Sequence, residues 1–309
     1  MRISSDLVPL IPRNMIQSVM CVEFFAGLIN SLIAFSIGIV ILLINRLWEP
    51  FNRGFFCNDE SIQYPHRDST IPSPVMYGVG FSLNIISFML VEPLILRRHK
   101  TRWLPSDEKQ GQQQQRNLFQ VYFCAVFKIL LPFLYGAAVV QLVTDIAKYS
   151  VGRLRPHFFD VCKPDNSKFN CTDGYITADV CTGDQALIKH ARLSFPSGHA
   201  SFSMYTMLFL VFYYQARLTF KDFLLLRPLL QLIVFCLAYY TGLSRIYDYK
   251  HHWSDVLGGF AIGIIVALIA VFVWTDLFKR QSSLQTDCNE KSRRDSIQLD
   301  TVKVPVTQL

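Results

Sequence analysis

Charge is what this 309-residue sequence has least of: Asp, Glu, Lys and Arg make up 17% of it, against roughly 25% in an ordinary soluble domain. Hydrophobic residues make up 51% and the mean hydropathy is +0.28. Disorder as the main architecture is therefore excluded, because disordered chains lack apolar surface to bury. Fifteen glycines fall far short of a collagen, and eight cysteines in a chain of this length do not make a small disulfide scaffold. A cleavable leader is lacking too. The first apolar run outlasts an h-region of about 7 to 15 residues and no small-residue cleavage site follows it, so it is expected to stay as an uncleaved anchor.

What is abundant is long apolar sequence. A bilayer-crossing helix needs roughly 20 predominantly apolar residues. Six runs qualify: 24–45, 72–95, 118–144, 200–216, 224–243 and 256–275. The expected fold is an all-α polytopic membrane protein. It divides into a cytosolic segment over 1–19, a six-span domain over 20–278 and a disordered cytosolic tail over 279–309. The net charge of +7 would suit a nucleic-acid binder, but its placement argues otherwise. Six Lys and Arg fall between 96 and 117 and six more after 278. On the positive-inside rule both stretches are cytosolic, with both termini inside. The opposite face balances its basic residues with Asp and Glu, so no nucleic acid is called for.

Two signals agree with that orientation. Asn170-Cys171-Thr172 is an N-glycosylation sequon, usable only outside the cytosol, which makes Asn170 the expected acceptor. Cys57, Cys162, Cys171 and Cys181 fall in the outer loops. They allow two disulfides in three connectivities, or remain loop thiols.

Three polar clusters sit at span ends: Lys148-Tyr-Ser-Val-Gly-Arg-Leu-Arg155-Pro156-His157, Ser194-Phe-Pro196-Ser197-Gly198-His199-Ala-Ser201, and Ser244-Arg245-Ile-Tyr-Asp-Tyr-Lys-His251-His252-Trp-Ser-Asp255. Span parity puts the end of span three, the start of four, the end of five and the start of six on one face, so the clusters can converge. Lys148, Arg155 and Arg245 complement a phosphate dianion, Arg by bidentate contacts and Lys as a point charge. Ser197 and Gly198 precede an apolar run and suit a helix N-terminus, where free N–H groups favour an anion. His251 and Asp255, spaced i, i+4, share a helix face. A carboxylate taking one imidazole proton leaves the other nitrogen free as a nucleophile. His199 supplies a second imidazole, suited to protonating a leaving alkoxide.

Lys-x6-Arg-Pro, Pro-Ser-Gly-His and Ser-Arg-x5-His-x3-Asp, in this order on a six-span chain, resemble the type-2 phosphatidic acid phosphatase superfamily. KYSVGRLRPHF, SFPSGHASFSMY and GLSRIYDYKHHWSDVLGG resemble its animal lipid phosphate phosphatase branch over residues 20 to 278. The resemblance implies that His251 attacks phosphorus to form a phosphohistidine. Asp255 would orient His251, and His199 would act as general acid and then general base. Lys148, Arg155, Arg245, Ser197 and Gly198 would bind phosphate, with no metal and no cofactor. It also implies lipid phosphate substrates (phosphatidate, lysophosphatidate, sphingosine 1-phosphate and ceramide 1-phosphate), homo-oligomers, and a plasma-membrane or internal-membrane location with the site facing outward.

Bland readings compete residue by residue. Any one of the three cations alone would be a headgroup anchor, and either histidine alone an ordinary interfacial one; together with Asp255 they are read as a site. Asp248, Lys250 and His252 are left as loop surface or support. Lys128, a cation inside the third run, is expected to snorkel, while Glu23 and Glu92 are expected to be solvated at span ends. In the tail, Arg293-Arg294-Asp295-Ser296 resembles a basophilic kinase site and Thr307-Gln308-Leu309 a PDZ ligand. The rivals are a catalytically silent protein that binds or transports lipid phosphates, a soluble vanadate-dependent haloperoxidase, and a phosphatase for sugar or polyprenyl phosphates.

Overall fold

Backbone exposed to lipid must satisfy its own hydrogen bonds, so apolar runs of this length settle into helix. The structure, a computed structural model, describes residues 13–103, 111–218 and 223–278. Most of the amino-terminal segment and the whole of the tail 279–309, with its kinase-type and PDZ-type sequences, lie outside the described residues. The long helices are α1 (Arg13–Leu47), α2 (Ser73–Trp103) and α3 (Gly111–Val151). Between α1 and α2 lies β1 (Phe55–Phe56), which pairs with β2 (Tyr175–Ile176) from the long loop after α3, where α4 (Phe158–Cys162) and α5 (Gln185–Ala191) flank β2. The chain then forms α6 (Gly198–Arg217), α7 (Leu226–Tyr247) and α8 (Trp253–Ile269), the last continued by a wider turn over Ala270–Trp274.

Among the described residues five helices are long and apolar enough to cross a membrane, through Gly27–Leu47, Ser73–Leu96, Tyr122–Val151, Leu226–Tyr247 and Trp253–Trp274. That is the architecture of a polytopic membrane protein. Helix α6 is not among the five, and its surroundings explain why. It packs most extensively on α8 and α7 and also meets α2 and α3. With protein on these sides it needs no lipid-facing apolar surface, and its hydroxyls find partners indoors: Tyr205 Oη donates to Phe133 O at 2.7 Å and Thr206 Oγ1 to Phe202 O at 3.0 Å. Helix α8 comes close because Gly259 and Gly263, one turn apart, face it. A Cβ at either would collide with the α6 backbone at Ser197 O or Ser201 O.

Glu92 departs from expectation. It is buried rather than solvated, with Oε1 accepting from Tyr213 Oη at 3.1 Å and paired with Arg217 Nε at 3.1 Å. The partner comes from α6, 125 residues on, so nothing near Glu92 in sequence announced it. Lys128 lies exposed on α3, and the side chain of Glu23 falls outside the described residues.

At one end of the bundle the loops 48–72 and 152–197 knit into a cap. Phe55, Ile62, Leu154, Phe158, Ile176 and Val180 form its apolar centre. Of the three connectivities open to the outer-loop cysteines, the cap has Cys57–Cys171 and Cys162–Cys181. Asn170 is exposed beside the first bridge.

Candidate functional site

Beneath the cap, the end of α3, the start of α6, the end of α7 and the start of α8 bring the three polar clusters together. Helix α8 begins at His252, and Asp255 in its first turn reaches back to cap it: Oδ2 accepts from the His252 backbone N–H at 2.9 Å. The same oxygen accepts from Ser194 Oγ at 2.6 Å, and Oδ1 is paired with Arg153 Nη1 at 2.6 Å. A fully buried carboxylate needs such company.

His251, 4% exposed, places Nδ1 at 2.7 Å from the Ser194 carbonyl and 3.8 Å from Asp255 Oδ2. A carbonyl only accepts, so Nδ1 carries the proton and Nε2 keeps its lone pair. Burial, with Arg155 and Lys148 facing it, pushes the imidazole well below its ordinary pKa, while Asp255 pulls the other way. The ring is therefore neutral at physiological pH. Its neighbour His252 points elsewhere, Nε2 lying 3.0 Å from Leu154 O.

Helix α6 starts at Ser197, whose side chain accepts from the Ala200 N–H and whose own N–H donates to Asp255 O at 2.9 Å. The Ser197 hydroxyl is thus engaged in capping. At Gly198 a Cβ would stand 3.0 Å from Lys148 Nζ, so the missing side chain lets the ammonium lie against the first turn. Lys148 is held from behind by Asp145 Oδ1 at 3.8 Å, and Asp145 Oδ2 also takes bonds from Asn45 and Gln141. His199 Nε2 donates to the Ile71 carbonyl at 3.1 Å. Arg245, Lys148 and Arg155 are all near enough to act on that imidazole electrostatically.

Arg245, 1% exposed, bonds Ile71 O through Nη1 at 3.0 Å and Asp248 Oδ2 through Nη2 at 2.6 Å. Arg155 reaches Leu193 O through Nη2 at 3.4 Å. Burial and the nearby Arg245 lower its pKa to about 10, which leaves it charged. The Nε atoms of Arg155 and Arg245 are buried without a hydrogen-bond partner. The ensemble gathers three cations, a helix N-terminus and one neutral imidazole with a free nitrogen, which is chemistry suited to a tetrahedral oxyanion. Among the described residues no cluster of three or more His, Cys, Asp or Glu is placed to hold a metal ion.

The structure also shows functional neighbours that motif reading passed over. Arg153 and Ser194 hold Asp255. Asp248, read as loop surface or support, takes the second role: it is buried against Arg245 and accepts from both Thr70 N and Thr70 Oγ1, at 2.9 and 2.8 Å. Thr70 and Ile71 belong to a strap before α2 that lies over the second and third clusters. Arg153 and Ser194 lay within the motif strings, but nothing in their spacing set them apart. The strap carried no signal at all.

Comparison with known proteins now joins the geometry. The PAP2 superfamily matches residues 129–279, which contain all three clusters. Phospholipid phosphatase 1 of Rattus norvegicus is 43% identical over 262 residues, covering 84% of this chain and 86% of that protein. Phospholipid phosphatase 2 of the same species is 43% identical over 256 residues, 83% of this chain and 87% of its own. Phospholipid phosphatase 2 of Homo sapiens is 43% identical over 240 residues, 78% of each chain. No solved structure matches. Similarity of this degree, extending over most of the chain and including every cluster assembled beneath the cap, shows that the chain belongs to the PAP2 superfamily.

Proposed function

We propose that this protein is a membrane-embedded phosphatase that removes phosphate from lipid phosphomonoesters, with phosphatidate, lysophosphatidate, sphingosine 1-phosphate and ceramide 1-phosphate as the substrate class. The observation that carries the reading is the state of His251: its Nδ1–H donates to the Ser194 carbonyl, and Nε2 keeps an unprotonated lone pair with Lys148 and Arg155 nearby. The names of the relatives point the same way.

In the reaction His251 Nε2 attacks phosphorus as the bond from phosphorus to the lipid oxygen breaks, and His199, made an imidazolium by a proton taken from the bound phosphomonoester monoanion, gives that proton to the departing alkoxide. His199 then takes a proton from water, which attacks phosphorus and returns the electron pair to Nε2. Lys148, Arg155, Arg245 and the N–H groups at Gly198 bind the phosphoryl oxygens and stabilise their charge, with Ser197 fixing the helix start and Asp255 orienting the nucleophile. Arg245 and His199 already serve a single oxygen, that of Ile71, so a substrate oxygen can be served by both. No metal enters these steps.

The membrane reading follows. Helix α6 is the fourth of six spans in a domain over 20–278, flanked by a cytosolic segment 1–19 and a cytosolic tail 279–309. The cap and site face the extracellular or luminal side of the plasma membrane or an internal membrane, where Asn170 is glycosylated. A site at the membrane edge suits a substrate whose tails stay in lipid. The test is hydrolysis of these lipid phosphates by purified protein in detergent with a magnesium chelator. Activity is expected, and His251→Ala should lower it about 10³-fold or more; activity unchanged in that variant would sink the mechanism.

A further inference from the structure

Asp255 is saturated before it reaches His251. Its Oδ1 takes Arg153 Nη1 and its Oδ2 takes Ser194 Oγ and the His252 N–H, while His251 Nδ1 stands 3.8 Å off. Arg153 is itself steadied by Ser254 Oγ at 2.8 Å, and its carbonyl accepts from the Ser194 N–H at 3.0 Å. Arg153, Ser194 and Asp255 therefore close a ring that joins the three clusters, and His251 hangs from it by one bond to a neutral carbonyl.

We infer that Arg153 and Ser194 are positioning residues for the nucleophile: together they hold the Asp255 carboxylate off the imidazole, and the Ser194 carbonyl takes the Nδ1 proton in its place. This rests on the proposed phosphatase reading and adds two residues to it. A carboxylate bonded directly to the ring would favour the protonated imidazolium, which has no lone pair for phosphorus. It would also stabilise the cationic phosphoimidazolium that forms when Nε2 is phosphorylated and Nδ1 keeps its proton, slowing its hydrolysis. A carbonyl fixes the same tautomer without a full charge. At 3.8 Å, Asp255 still offsets the cation that develops, and Arg153 limits how strongly.

The charged groups facing His251 are Asp255 on α8, Arg155 after α3 and Lys148 at the end of α3. Removing Arg153 leaves Asp255 uncompensated, and removing the Ser194 hydroxyl leaves Oδ2 with the His252 N–H alone and with more of its charge available to the ring. Both changes favour protonated His251, so both should move the acid limb of activity to higher pH.

The experiment is the pH dependence of kcat/KM for a lipid phosphomonoester, measured on the purified full chain and on Arg153→Met, Arg153→Lys and Ser194→Ala, with inhibition by inorganic phosphate alongside. Arg153→Met and Ser194→Ala should raise the acid limb by about one pH unit. Arg153→Lys should stay near the wild type, and phosphate inhibition should be unchanged in all. A limb that does not move, with activity lost uniformly or not at all, overturns the inference. So does a Lys variant that behaves like Met. A wild-type chain inactive on every lipid phosphate overturns the phosphatase reading first, whereas an active wild type with unmoved variants overturns only the roles of Arg153 and Ser194.

Discussion

His199 and Arg245 meet at a single atom, the carbonyl oxygen of Ile71, which accepts from His199 Nε2 at 3.1 Å and Arg245 Nη1 at 3.0 Å. They come from the first turn of α6 and the last turn of α7, and the oxygen comes from a strap that precedes α2. The strap is fixed in turn by Thr70 on Asp248, and Asp248 is the carboxylate that holds Arg245. Thr70, Ile71, Asp248 and Arg245 therefore form one closed polar unit at the site.

Breaking that unit should be expensive. Asp248→Ala would leave Arg245 buried without its carboxylate, and losing one partner of a buried pair costs about 3–5 kcal/mol. Thr70→Val removes one hydroxyl bond while the Thr70 N–H still reaches Asp248, so its cost is about 1 kcal/mol. Thermal unfolding in detergent should rank wild type above Thr70→Val above Asp248→Ala. Equal midpoints would show that Arg245 does not depend on the strap.

Gly198 tests the phosphate-binding edge with little disturbance of the fold. The atom a Cβ would crowd is the far end of Lys148, at 3.0 Å. That ammonium can move, so Gly198→Ala should keep the wild-type unfolding midpoint while KM rises several-fold and inhibition by inorganic phosphate weakens. An unaltered KM would place Lys148 outside substrate binding.

The cap depends on its bridges. Cys57–Cys171 spans 114 residues, and loss of a native disulfide typically costs about 2–5 kcal/mol. Cys57→Ser with Cys171→Ser should lower the unfolding midpoint yet leave helical circular dichroism nearly intact, because the helices pack without the bridge. A large loss of helix would show that the cap also organises the bundle.

Acid should weaken the fold through His157. Its Nδ1 lies 2.7 Å from Tyr249 O, and burial lowers its pKa to about 4. The same histidine titrates near 6.5 when unfolded. Between those values the unfolded chain binds more protons, so this contribution is complete above about pH 6.5 and is lost as pH falls toward 4. At pH 5 the loss is about 2 kcal/mol. Unfolding midpoints at pH 7 and 5 should differ less in His157→Gln than in the wild type. An identical difference would mean that His157 is not the group responsible.

Residues that stand out by their own chemistry were visible in the sequence, and residues whose place depends on a distant partner were not. Lys148, Arg155, His199, Arg245, His251 and Asp255 stood out because cations, imidazoles and a carboxylate at span ends are costly and have few bland uses in combination. The structure brings them under one cap. Arg153 and Asp255 are 102 positions apart, and Thr70 and Asp248 are 178 apart. Such pairings exist only once the helices are packed, and no local pattern records them. The disulfide pairing and the burial of Glu92 have the same character. Hydropathy found the lipid-exposed α1 readily, since nothing in its apolar stretch is buried.

The position of α6 at the centre of the bundle has a consequence for tracing the chain through a bilayer. A count based on oiliness alone stops at five and sends the two ends of the polypeptide to opposite compartments. On the proposed six-span reading the enclosed helix crosses as well, the count is even and the ends return to the same one. A protease-accessible epitope at each terminus in sealed vesicles distinguishes the two arithmetics. In this fold, the helix that opens within Pro196-Ser197-Gly198-His199 is the one that a search for greasy segments overlooks.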